Sequence, residues 1–141
     1  MRLTGVLLSL ILMIQTSAFG NERVAADLVE VVNQNPKIKK IAVIYNPNIS
    51  EVLIPPQIAQ AKLFKVPVKN TREIAQVVNR LVLAQHDVNA IYLVHDRFKA
   101  VTNKASVRYL GKVARKNQLV LHSDNQEVAS GFAELNARVE L

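Results

Sequence analysis

The stretch Asp87-Val88-Asn89-Ala90-Ile91-Tyr92-Leu93-Val94-His95-Asp96-Arg97 decides the fold. Ala90 to Val94 is a short, unbroken apolar run, the pattern of a strand whose sheet is covered by helices on both faces. Such a strand belongs near the centre of a parallel sheet. The run ends abruptly on His95-Asp96-Arg97, so three polar side chains fall just past the carboxyl end of a buried strand, where open α/β sheets collect ligands.

Similar runs lie on either side. Lys40-Ile41-Ala42-Val43-Ile44-Tyr45 is β-rich and closed by Asn46-Pro47-Asn48, whose residues favour a turn. It reads as the first strand. Leu63 to Val68 reads as the second, and Pro67, which has no ladder donor, assigns it to a sheet edge. Between them, Pro55-Pro56 permits at most a short helix running through Ile58. Asn70 with Glu73 forms a capping pattern, and Ile74, Val77, Val78 and Leu81 continue as a helical stripe toward Gln85. After the central strand, the spacing predicts a helix over Lys104 to Asn117 that buries Val107, Leu110 and Ala114. Leu119-Val120-Leu121 forms a fourth strand, halted by His122-Ser123-Asp124-Asn125. A helical turn near Gln126 to Ser130 then leads through Gly131, read as a positive-φ position, to a fifth strand over Phe132 to Val139. Ahead of all these, Val24, Ala25, Leu28, Val31 and Val32 share one face of an amphipathic helix.

Strands that alternate with helices imply parallel pairing and right-handed crossovers. The expectation is an α/β fold, a three-layer, doubly wound, mostly parallel sheet in the order 2-1-3-4-5. That order puts the switch point between the first and third strands. The corners Asn46 to Ser50 and His95 to Arg97 then line one crevice, flanked by His122 to Asn125.

The 141 residues suit one domain of ordinary size. With no cysteine, disulfides, thiolate metal sites and a cysteine nucleophile are excluded. The formal charge of +7 is spread over several segments and is accompanied by few aromatics, which argues against nucleic acid as a partner. Lys104, Arg108, Lys112 and Lys116 nevertheless recur every four residues along one predicted helix. They read as a solvated face, or as one drawn to anionic lipid or an acidic partner.

At the amino terminus, Arg2 precedes the apolar run Val6 to Ile14 and the small residues Ser17-Ala18-Phe19-Gly20, the pattern of a secretory signal peptide over residues 1–20. Cleavage is expected before Asn21, with a cut after Ala18 the near alternative and an uncleaved anchor the competing reading. The apolar core is shorter than the ~20 residues that span a bilayer. Residues 21–141 then form the exported domain, in the periplasm and with no stable membrane insertion.

The segments Ile41 to Asn48, Val68 with Glu73-Ile74, Val88 to Asp96, Leu119 to Ser123, and Val128 to Ala133 together resemble the periplasmic substrate-binding proteins of ABC-type uptake systems, the uncharacterised and tryptophan- or tyrosine-binding type. The resemblance spans residues 38 to 136 and corresponds to a single lobe of a two-lobed clamshell. It implies a non-enzymatic domain that binds a small, amino-acid-like organic ligand. The ligand would be reached by Asn46 and Ser50 in the first loop, Asp96 after the third strand and Asp124 after the fourth. A carboxylate such as Asp96 would suit a ligand ammonium. An ABC permease, or a second copy supplying the missing lobe, is the implied protein partner. The chain departs from the family in a shortened first crossover bearing Pro55-Pro56. No cofactor or metal is expected, since His95, Asp96, His122 and Asp124 match no metal-ligand spacing. Two further readings stand beside this one: an envelope adaptor that kept the fold without the ligand, and, more distantly, a hydrolase built on His122, Ser123 and Asp124.

Overall fold

A computed structural model describes residues 21–48, 52–85, 88–96 and 102–137. The expected leader, Ser50, Arg97 and the end of the expected fifth strand lie outside them. In chain order the elements are α1 (Asn21–Gln34), β1 (Lys40–Tyr45), β2 (Gln57–Ile58), β3 (Ala61–Pro67), α2 (Thr71–Gln85), β4 (Ala90–Leu93), α3 (Lys104–Asn117), β5 (Val120–Ser123) and α4 (Gln126–Asn136). They build an α/β, doubly wound sheet in the order β2-β3-β1-β4-β5, with β3, β1, β4 and β5 parallel and β2 antiparallel on the outside of β3.

The continuous apolar runs follow from burial on both faces. Ala42 and Ile44 of β1 and Ile91 and Leu93 of β4 face a core closed by Ile74 and Val78 of α2, Leu110 and Ala114 of α3, and Phe132 of α4. The alternate residues Ile41, Val43, Ala90 and Tyr92 face α1, which contributes Val24, Leu28, Val31 and Val32, while Val52 covers the rest. All four residues of β4 are buried, and each large apolar side chain so placed contributes roughly 1.5–3 kcal/mol. The caps behave as the sequence suggests. Asn70 Oδ1 accepts the Glu73 N–H at 3.0 Å, while the Glu73 carboxylate reaches back to Lys69 N at 2.7 Å.

The sheet's margins differ from expectation. Phe132 does not open a fifth strand, because residues Gln126–Asn136 are helical, begun by Asn125, whose side chain accepts from Val128 N. Val128, Phe132 and Leu135 lie at helical spacing as readily as the alternation with Glu134 suits a strand. Packing decided between the two periods, since Phe132 is buried in the core that α2 and α3 close. Gly131 is an ordinary helical residue without positive φ, and a Cβ there would meet nothing within 4 Å. The free edge of β5 is instead covered by a side chain: Asn136 Oδ1 accepts from Leu121 N at 2.7 Å and its Nδ2 donates to Leu121 O at 2.6 Å. One amide thus substitutes for a neighbouring strand and blunts the edge.

At the opposite margin, the stretch after Pro56 forms the two-residue strand β2 and not a helix. It turns back through Ala59 at φ 50 to pair with the start of β3. Pro67 lies beyond that pairing, at the outer edge. Among the described residues, no helix is long and apolar enough to cross a membrane.

Candidate functional site

The carboxyl ends of β1, β4 and β5 stand side by side, because Ile44 is in register with Leu93 and Leu93 with Ser123. The residues that follow these ends meet on one rim and form two corners of different character.

The first corner joins β1 to β4. Asn46 donates from Nδ2 to Asp96 Oδ2 at 3.1 Å, and its Oδ1 accepts from Asn48 N at 3.0 Å, closing an Asx turn. Thr102 ties down the Asp96 backbone, accepting from its N–H at 3.3 Å and donating to its carbonyl at 3.1 Å. Asn46 is 6% exposed and Asp96 1%. Burial at this level favours paired polar groups, and these bonds engage the Asn46 amide, one oxygen of the Asp96 carboxylate and the Asp96 backbone.

The second corner joins β5 to α1. Tyr92 is the one hydroxyl in the apolar run of β4, and its OH donates to Asp27 Oδ2 of α1 at 2.6 Å. Burial, and then the bond to Asp27, hold the Tyr92 phenol far above its ordinary pKa, so it stays a donor. Its ring stacks on His122 at a centroid distance of 5.8 Å, and His122 Nδ1 lies 3.8 Å from Asp27 Oδ2. Asp124 Oδ1 accepts from His95 N at 2.6 Å. Burial raises the Asp124 carboxyl above its usual range, against the lowering effect of that N–H. Asp124 and His122 are half-buried and open onto a cleft of about 390 Å³, walled also by Arg23, Asp27, Glu30 and Gln126. Three carboxylates and one guanidinium thus surround a space the size of a small-molecule site.

A further cleft of about 540 Å³ lies between the first turns of α3 and α4, bordered by His95, Thr102, Arg108 and Val128 among others. His95 Nδ1 is 3.0 Å from Asn125 Nδ2, so the ring is held by an amide. Ser123 is 2% exposed; its Oγ donates to Leu93 O at 2.7 Å and accepts from Asn125 N at 3.2 Å. His122 Nδ1 accepts from Ser123 N at 2.9 Å. The hydroxyl therefore serves the backbone, and His122, Ser123 and Asp124 do not form a proton relay. Among the described residues, no three histidine or acidic side chains converge as metal ligands would.

Of the residues singled out from the sequence, Asn46 and Asp96 come together but line neither cleft, Asp124 lines the smaller one, and Ser50 lies outside the described residues. Sequence reasoning missed Asp27 and Tyr92. A tyrosine inside an otherwise aliphatic buried strand needs a partner for its hydroxyl, and that was the available signal. No family model matches the chain, and no curated protein is similar to it.

Proposed function

We propose that this chain is an exported, non-enzymatic α/β domain of the periplasm, comparable to one lobe of an ABC-type substrate-binding protein, and that it binds an amino-acid-like ligand at the cleft beside Asp124. The observation that carries this reading is the gathering of Arg23, Asp27, Glu30 and Asp124 around one half-open space at the carboxyl rim. Carboxylates suit an ammonium and a guanidinium suits a carboxylate, so the cleft offers both halves of an amino acid a charge-assisted partner. The cleft is open on one side, and a second copy of the chain or an ABC permease would supply the facing wall.

Calorimetry of the purified protein against a panel of amino acids, aromatic ones included, tests the proposal. Asp124→Asn should weaken any ligand detected by roughly 10-fold or more, the loss expected for one charge-assisted bond. Silence across the panel from a folded protein would defeat the ligand reading.

One observation favours the second reading, an envelope adaptor that kept the fold without a ligand. Asn46 and Asp96, which the family resemblance assigns to the ligand, are buried and bonded to each other. An adaptor would show no heat with metabolites and would retain a protein partner after Asp124→Asn.

A further inference from the structure

We propose that the outward face of α3 is a docking surface for an anionic phospholipid membrane. The helix reads KASVRYLGKVARKN and contains no acidic residue. Its inward side is occupied by Ser106, Leu110, Gly111 and Ala114, and the approach to α4 is close: a Cβ on Gly111 would lie 3.1 Å from Leu135 Cδ1. The outward side carries Lys104, Arg108, Lys112, Arg115 and Lys116, all exposed. Over these twelve steps the row extends about 18 Å along the helix axis. Among the described residues, no carboxylate forms an ion pair with any of the five.

The neighbouring helices reinforce the field. On α2, Arg72 and Arg80 are exposed, and the carboxylate of Glu73 is engaged by Lys69 N. Glu127 and Glu134 of α4 are the other acidic side chains on this layer, so seven cations stand against three carboxylates. The helix across the sheet is not basic in this way, since the described side chains of α1 include Arg23 against Asp27 and Glu30. Such a division orients one side of the molecule toward a negatively charged plane.

Other anionic partners fit less well. Nucleic-acid surfaces pair cations with aromatics for stacking, but Tyr109 of α3 is turned toward α2, its OH 3.3 Å from Asn79 Oδ1 and 3.4 Å from Ala75 O. A specific protein interface needs an aromatic or aliphatic anchor. Among the described residues, the exposed large hydrophobics are Val29 and Leu53, on α1 and beside Val52, with the other core. Adsorption to anionic phospholipid headgroups requires only a cluster of surface cations. The inference is independent of the ligand proposal, because none of the five α3 cations borders the cleft at Asp124.

Flotation of the full chain with vesicles of phosphatidylcholine alone, or of phosphatidylcholine with phosphatidylglycerol, tests it. Binding is expected only with the anionic vesicles and should be lost as salt shortens the Debye length from about 10 Å toward 3 Å. Replacing Arg108, Lys112 and Lys116 by Gln should weaken binding by about fivefold per cation removed. Lys65→Gln, on the far side of the sheet, should leave it unchanged. Equal binding to neutral vesicles, or binding indifferent to the triple substitution in a variant with unchanged circular dichroism, overturns the proposal. So does displacement from anionic vesicles by a single-stranded oligonucleotide at concentrations below those of the lipid, which would make nucleic acid the partner.

Discussion

The two corners of the carboxyl rim are built from similar residues and serve different ends. At the first, Asn46 and Asp96 are sealed from solvent, bond to each other and tie down the local backbone. At the second, Asp124 and His122 remain half-open, and Asp27 holds the Tyr92 hydroxyl while also facing the cleft. A polar side chain at a strand's carboxyl end is therefore a candidate ligand group only while its burial is incomplete. Once it is fully covered, the cost of leaving any polar atom unpaired commits it to holding the loops together.

Substitutions can break that contrast. The largest effect is expected at the sealed corner. Asn46→Ala removes a donor to a buried carboxylate and the acceptor that closes the Asx turn, and should cost about 2–3 kcal/mol. In a thermal melt this corresponds to a midpoint lower by roughly 10 °C. A variant as stable as the parent would show that the corner is not a structural tie. A smaller loss is expected at Tyr92→Phe, which leaves the ring in place and deletes only the donor to Asp27. Chemical denaturation should give about 1.5 kcal/mol. A loss under about half a kilocalorie, within the ordinary scatter of surface substitutions, would mean that water replaces the phenol and that α1 is held by its apolar face alone.

The meeting of Asn46 with Asp96 was legible because it depends only on which strands are neighbours, and two apolar runs broken by polar corners determine that. Their depth was not legible, since burial at a strand end depends on how the crossovers fold over it. The period of Phe132 to Leu135 was ambiguous for a different reason: Val128, Phe132 and Leu135 fit a helical stripe while Ala133, Leu135 and Ala137 alternate with Glu134 and Asn136 as in a strand, and the core beneath α4 made the choice. Asp27 carried no local signal. Its partner Tyr92 is 65 residues away, and on α1 it resembles any polar residue of an amphipathic helix. The central strands β1 and β4, by contrast, were readable from their own composition, because covering both faces of a sheet leaves a mark along the whole run.

The smallest expected effect separates the corners most sharply, because its sign is opposite to that at Asn46. Burial raises the Asp124 carboxyl in the folded chain above its ordinary value of 3.8, so the folded state binds that proton more tightly than the unfolded one. The ionised form then weighs against folding at every pH above the folded value. This penalty fades as pH falls through the interval between the folded and ordinary values, and it is absent below both. Asp124→Asn keeps an oxygen to accept the His95 N–H and never ionises. It should therefore be slightly more stable than the parent at neutral pH, with the difference closing as the solution is acidified below the usual carboxylate range. Paired denaturation curves at neutral and acidic pH measure this directly, because groups common to both proteins cancel in the difference. Greater stability together with loss of an amine ligand is what a carboxylate kept for binding would give. A stability loss at neutral pH matching that of Asn46→Ala would instead place Asp124 in the same structural role as Asp96, and the contrast between the corners would disappear.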